Sequence, residues 1–223
     1  MKTLRGAARI LCLCAILFGL TSCQLMDALG FDTYDYMSEK VITTHPADSE
    51  LSEELEELLS MLITDSPYLT TFENMSDAIR YYRDAVLTRM LETGYSKYSG
   101  NTALIEKAER AYPEYSITQI IPESEFEATM YRCFGGDVML NHKDGARFKY
   151  LPKVSAYISM VVPVASGLKP EITKLSETDQ TYRVHFHVTD GEIRSDDYFA
   201  LIIKREDGTL YIKKLLEGSA VKD

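Results

Sequence analysis

Apolar residues recur at helical spacing between about residues 48 and 135. Leucines at positions 51, 55, 58, 59 and 62 form one stripe, which predicts a helix over residues 48–63. Similar stripes predict helices over 76–93, 101–112 and 124–134. Ser124 and Glu127 have the spacing of a capping box at the start of the last helix, and Gly135-Gly136 provides a stop. A short strand is predicted over 116–121.

From residue 138 onward the apolar period changes to two, which is typical of strands. Strands are predicted over 138–141 and 147–151 around a Lys143-Asp144-Gly145 turn, over 157–162, and over 170–176, 181–189, 197–206 and 209–216. Asp207-Gly208 is a two-residue hairpin signal. A two-residue turn there pairs Ile203 with Ile212 and Phe199 with Leu216. The pattern predicts an α+β fold, with N-terminal helices packed on a curved antiparallel sheet ending in a β-meander.

The N-terminus has the pattern of an export signal. Lys2, Arg5 and Arg9 precede an apolar run over 10–20, which ends in Leu20-Thr21-Ser22-Cys23. A membrane-spanning helix needs about 20 apolar residues, so this run is too short to serve as one. The same pattern is compatible with an ordinary secretory signal that ends near a cysteine.

Residues 20–23 resemble the lipobox of bacterial lipoprotein signals. The resemblance covers residues 1–23 and implies that Cys23 takes a diacylglycerol thioether and that the chain is cut before it. Two or more acyl chains hold a protein firmly on a membrane. We therefore expect a signal peptide over 1–22, a lipidated cysteine and tether over 23–46, and a single α+β domain over 47–223. The domain would lie on the extracytoplasmic face of the cell membrane.

Charge narrows the range of partners. Removal of residues 1–22 lowers the basic count from 24 to 21 and leaves all 34 acidic residues, a net charge of −13. Nucleic-acid phosphates need Lys and Arg patches, so nucleic acid is not an expected partner. The expected partners are the membrane, through the lipid on Cys23, and an unknown protein or small molecule. Cys133 remains as the only other thiol, which excludes an internal disulfide in the mature chain.

Signatures of catalysis are missing from the sequence. It contains no nucleophile elbow, HExxH motif, phosphate-binding glycine loop or CxxC motif. The segment from Ser166 to Lys169 matches Ser-x-x-Lys, but it lies in a Gly/Pro loop and lacks a partner Lys-Thr-Gly motif. We predict no catalytic residue, no metal site and no cofactor.

The best candidate cluster is His185 and His187. They lie two residues apart on a predicted strand, so both point to the face opposite Val184 and Phe186. A zinc site needs at least a third ligand, and the sequence does not place His142 or Asp190 nearby. We therefore favour a solvent-facing pair over a metal site. If this face is instead concave, it predicts a polar pocket that also includes Tyr150, Tyr157 and Arg183.

The element order over about residues 75–216 resembles the nuclear-transport-factor-like superfamily, as well as small lipoproteins of clostridial genomes. The segment 126–135, the tyrosine-rich hairpins and the Asp207-Gly208 hairpin carry this resemblance. It implies a cone-shaped fold, which hosts enzymes, binding proteins and domains that are neither. We expect a non-catalytic ligand-binding or interaction domain. The alternatives are an enzyme using a pocket near His185 and His187, and a structural or assembly protein of the cell envelope.

Overall fold

The computed structural model describes residues 35–136, 140–161 and 166–220. The chain divides into two compact units, residues 1–39 and 40–223. The described part of the first unit is a short 3-10 turn, Tyr36–Ser38, which begins where the Asp35 carboxylate accepts a hydrogen bond from the Met37 N–H. The predicted signal peptide and Cys23 lie outside the described residues.

The second unit has the predicted α+β class: a three-residue strand precedes the helices, a second short strand interrupts them, and an antiparallel meander ends the unit. Its helices are α1 (Glu50–Ser60), α2 (Met75–Thr93), α3 (Tyr95–Ser99), α4 (Thr102–Ala111) and α5 (Glu123–Phe134). Its strands are β1 (Thr43–His45), β2 (Ile120–Pro122), β3 (Phe148–Leu151), β4 (Ala156–Ser159), β5 (Lys169–Glu177), β6 (Thr181–Thr189), β7 (Tyr198–Lys204) and β8 (Leu210–Glu217).

The strands form two antiparallel sheets. The larger has the order β1-β5-β6-β7-β8, and the smaller has the order β2-β4-β3. Helix α1 packs on β5 and α5 packs on β8, so the main core lies between the helices and the larger sheet. The smaller sheet is apolar on both faces. Ile121 and Tyr157 face the main core, whereas Ile120 and Ile158 face a second core that Ala108 of α4 completes.

Side-chain caps set the start of three helices. The side chains of Ser49, Asn74 and Asn101 accept hydrogen bonds from backbone N–H groups in the first turns of α1, α2 and α4. Helix α5 differs, because it begins at Glu123 directly after β2 and has no side-chain cap. The predicted capping box is therefore wrong: Ser124 lies inside the helix and not before it.

The hairpin predicted around residues 143–145 does not form among the described residues. Leu140 and Asn141 lie outside any strand, residues 138 and 139 are not described, and β3 pairs with β4. Helix α2 holds the connection instead. The Asp84 carboxylate accepts hydrogen bonds from the backbone N–H groups of Ala146 at 2.7 Å and Arg147 at 3.2 Å. This contact turns the chain toward α2.

The register of the last hairpin is only partly as predicted. Phe199 pairs with Leu216, as expected, but Ile212 pairs with Ile202 and not with Ile203. The hairpin closes through Arg205 and Thr209, so the loop has one residue more than a two-residue turn. A bulge beyond Ile202 then restores the predicted pairing toward the far end of the hairpin.

Strand β1 lies within the segment expected to be tether. Thr43 pairs with Glu177 and His45 with Leu175, which makes β1 an edge strand of the larger sheet. The compact unit accordingly begins at Lys40, ahead of the expected boundary at residue 47.

Candidate functional site

Two carboxylates and an imidazole meet at the start of α5. Glu123 and Glu127 are four residues apart on this helix and therefore lie one above the other on the same face. His142, in the connection before β3, reaches both of them. Its Nε2 lies 3.0 Å from Glu127 Oε1 and 3.9 Å from Glu123 Oε1. We call these three residues the Glu–Glu–His cluster.

Two tyrosines fix the imidazole of His142. Its Nδ1 is hydrogen-bonded to the hydroxyl of Tyr157 at 2.9 Å, and Tyr157 is only 1% exposed on β4. The ring of Tyr150 on β3 stacks on the imidazole, with centroids 5.2 Å apart and planes inclined by 29°. The orientation of His142 is therefore set by neighbouring strands of the smaller sheet, although His142 itself lies in a loop.

The same two phenols remain protonated at neutral pH. Burial raises the pKa of Tyr150, and the Glu123 carboxylate, which accepts a hydrogen bond from the Tyr150 hydroxyl, raises it further. Burial is also the main cause of the raised pKa of Tyr157. Each hydroxyl therefore keeps a proton that it can donate to the cluster.

The cluster has the composition of a cation site. One ligand atom from each of Glu123, Glu127 and His142 can be chosen so that all three lie within 4.8 Å of one another. Imidazole nitrogen and carboxylate oxygen are both common ligands of divalent metal ions. The three side chains are 26%, 35% and 13% exposed, so the cluster is partly shielded and still open to solvent.

Residues of α5 help to line several cavities, and two of these have the larger volumes. One, of about 550 Å³, lies between α2 and residues 140–146 and is lined in part by Phe126, whose ring is 6.3 Å from that of His142. The other, of about 660 Å³, is lined by residues of α1, α2, α3 and α5. Lys97 and Glu125 line this second cavity and form an ion pair with each other at 2.5 Å, which leaves less free charge for a ligand.

The structure brings together only some of the residues that the sequence suggested. Tyr150 and Tyr157 lie side by side, with ring centroids 5.1 Å apart. His185, His187 and Arg183 all belong to β6, in the other sheet. A pocket that joins the two groups is therefore not the arrangement observed.

The histidines of β6 have partners of their own. His185 packs against the ring of Phe199 with centroids 5.1 Å apart. His187 is only 4% exposed, so the prediction that it faces solvent is wrong, and its Nε2 lies 3.5 Å from Glu171 Oε2. In the strand register, Arg183 lies opposite Ser176 on β5 and Leu201 on β7. Asp190, a possible third ligand, instead accepts hydrogen bonds from the backbone of the turn that follows it.

The sequence alone does not connect Glu123, Glu127 and His142. The spacing of the two glutamates was visible, but paired carboxylates one turn apart are common on solvated helix faces. The sequence suggests His142 only as a companion of His185 and His187. Its position depends on the contact between Asp84 and residues 146–147, which no local pattern reveals.

The nucleophiles considered from the sequence are not activated. Cys133 is fully buried in the main core, and burial raises the pKa of its thiol to about 12. The hydroxyl of Ser166 donates a hydrogen bond to the carbonyl oxygen of Thr64 at 2.6 Å and has no base as its acceptor. Neither group is prepared for attack on a substrate.

Comparisons of the chain with protein-family models, with curated proteins and with solved structures find no match. Within the described ranges, no helix combines the length and the apolar character needed to cross a bilayer.

Proposed function

We propose that this chain is a lipid-anchored binding domain on the extracytoplasmic face of the cell membrane. The observation that carries the proposal is the ordered N-terminal pattern: basic residues, a short apolar run and then Leu20-Thr21-Ser22-Cys23. In this proposal Cys23 carries the lipid, and the unit from Lys40 onward binds a ligand or partner outside the cytosol.

Binding accounts for the described residues better than catalysis does. The candidate nucleophiles Cys133 and Ser166 are engaged in the core and with the backbone. His185 and His187, which the enzyme alternative would use, contact Phe199 and Glu171. The Glu–Glu–His cluster, in contrast, offers ligand atoms that are partly open to solvent. These observations support a binding role centred on α5.

Metabolic labelling with palmitate tests the anchor. The full chain, expressed in a bacterial host, should incorporate the label and sediment with membranes, and Cys23→Ala should do neither because it lacks the acceptor thiol. Cys14→Ala and Cys133→Ala are matched controls, since the first is removed with the signal and the second is buried in the core. Both should label like the wild type.

Two results would overturn the proposal, one from labelling and one from mass spectrometry. Label that persists in Cys23→Ala would place the lipid elsewhere. A mature product that retains residues 1–22, by mass spectrometry, would exclude processing before Cys23. Either result would remove the basis for the membrane anchor.

A further inference from the structure

We infer that Glu123, Glu127 and His142 bind a divalent transition-metal ion, with Zn²⁺ as the reference case. The inference adds to the proposed binding role by naming the chemical class of its ligand. It rests on the proposed function only for the extracytoplasmic location in which the ion would be bound. The metal site itself is argued from three side chains and their supporting hydrogen bonds.

The donor atoms indicate the class of ion. One imidazole nitrogen and two carboxylate oxygens suit Zn²⁺, Mn²⁺ and Fe²⁺, whereas Cu⁺ prefers thiolate or thioether sulfur. Ca²⁺ and Mg²⁺ are bound by oxygen ligands, often with water among them, so a required imidazole disfavours them. The cluster therefore predicts selectivity for an ion of intermediate softness.

The distances are close to those of a metal centre. Metal–ligand bonds of about 2.1 Å at tetrahedral angles separate ligand atoms by roughly 3.4 Å. His142 Nε2 lies 3.0 Å from Glu127 Oε1 and 3.9 Å from Glu123 Oε1, on either side of that value. Both carboxylates are partly exposed, so small rotations of their side chains bring all three atoms into range.

Each of two ligands has a second hydrogen-bonding partner that orients it. Tyr157 holds His142 through Nδ1 and leaves Nε2 directed at the carboxylates. Tyr150 donates to Oε2 of Glu123 and leaves Oε1 directed at His142. Partners of this kind fix the tautomer and orientation of metal ligands, and their loss weakens metal binding.

The Tyr157 hydroxyl suits both the free and the bound state. Without an ion, the His142 tautomer with its proton on Nε2 can donate to Glu127 and accept from Tyr157 at Nδ1. With an ion on Nε2, the proton moves to Nδ1, and Tyr157 becomes the acceptor. A hydroxyl can fill either role, so the same heavy-atom arrangement is compatible with metal binding.

Within the described parts of the chain, no Lys or Arg pairs directly with the carboxylates of the cluster. His142 is the basic side chain nearest to Glu123 and Glu127, and neither carboxylate forms a salt bridge with Lys or Arg among the described residues. Two carboxylates on one helix face repel each other, and a bound divalent ion relieves that repulsion. Three protein ligands also leave coordination positions for water or for a further ligand.

A zinc competition assay tests the site. The full chain in detergent is titrated against a chromophoric chelator, and the wild type should take up one equivalent of Zn²⁺. Glu127→Gln and His142→Gln should each weaken binding by roughly 100-fold or more, because a ligand is lost. Tyr157→Phe, which keeps every ligand, should weaken it by about 10- to 100-fold.

Two variants are matched controls. Glu125→Gln changes a glutamate of the same helix that pairs with Lys97. His45→Gln removes a histidine that lies 2.7 Å from a single carboxylate, that of Glu177. Both should bind Zn²⁺ like the wild type. Circular dichroism checks that each variant is folded. If Glu127→Gln or His142→Gln does not fold, Glu123→Gln replaces it, because Glu123 lies at the partly exposed start of the helix.

Several results would overturn the metal site. These are no zinc uptake by the wild type, equal affinity in folded Glu127→Gln and His142→Gln, or Ca²⁺ binding as tight as that of Zn²⁺. A chain that takes palmitate at Cys23 but binds no zinc would refute this inference and leave the anchor intact. A chain that binds zinc without lipidation would refute the anchor and leave the metal site intact.

Discussion

At the residue scale, Gly135 shows how one position constrains the packing of α5 on the larger sheet. It ends the helix with φ +71° and ψ 176°, a conformation that is essentially confined to glycine. A Cβ at this position would lie 2.6 Å from the ring of Tyr211 on β8. The ring of Tyr211 therefore occupies the space that a side chain at position 135 would need.

We predict that Gly135→Ala lowers the free energy of unfolding more than Gly191→Ala does. Both positions have positive φ, which costs about 1–3 kcal/mol for a side chain. Gly191 has no atom within 4 Å of an added Cβ, whereas Gly135 should lose a further 1–3 kcal/mol or so from overlap with Tyr211. Urea denaturation measures both variants. Equal losses would contradict the steric contribution.

The candidate site shows what single residues reveal in a sequence and what they do not. Tyr150 and Tyr157 were identifiable as polar-tipped residues of predicted strands, and they do meet. The partner of both, His142, sits in a connection whose course is set by Asp84 of α2. Local patterns specify side-chain direction within a strand or helix, but they do not specify where a loop meets a distant helix.

At the scale of elements, periodicity predicted the helices and the meander because each buries one repeating face. Helix α2, predicted over 76–93, is Met75–Thr93, and the β5–β6 and β7–β8 hairpins form as expected. Periodicity does not determine the strand registers or the positions of very short elements. Strand β1 has three residues, too few for a period, and the bulge beyond Ile202 depends on the loop length at the other end of the hairpin.

Glu177 fastens the edge strand β1 to the larger sheet. Its carboxylate lies 2.7 Å from Nε2 of His45 on β1 and 2.9 Å from Nζ of Lys204 on β7. Lys204, and after it His45, lowers the pKa of Glu177 below the ordinary carboxyl value of 4.5. A carboxyl whose pKa is lowered by folding stabilises the fold above its unfolded pKa, and this stabilisation is lost as pH falls through the folded pKa.

We therefore predict that Glu177→Gln loosens β1 at neutral pH. The Ile42 amide, which donates to the Glu177 carbonyl oxygen at 2.8 Å, should exchange with solvent faster than in the wild type at pH 7. The ratio of the two rates should fall to one as pH drops below 4.5 and through the lowered pKa. Glu171→Gln, on the same strand but away from β1, is the control and should exchange like the wild type. A ratio independent of pH would contradict the ionic explanation.

At the scale of the whole molecule, the charge of the chain and the proposed anchor would act in opposite directions. The chain carries 34 acidic and 24 basic residues, and processing before Cys23 would make the balance more negative. Anionic headgroups repel such a surface over a Debye length, about 30 Å at 0.01 M salt. An acyl anchor acts through burial of its chains, at about 0.8 kcal/mol per CH₂, and salt does not screen this contribution. The domain would thus be held near a surface that its own charges avoid.

Flotation with phosphatidylglycerol vesicles separates these two effects. The lipidated wild type and Cys133→Ala should float with the vesicles at both low and high salt, because acyl burial dominates. Cys23→Ala should stay in solution at both, because its acidic surface offers the vesicle no attraction that low salt could strengthen. Flotation of Cys23→Ala at low salt alone would show a cationic contact with the membrane. In that event the orientation of the folded unit, and not only its tether, would have to be explained by specific Lys and Arg residues.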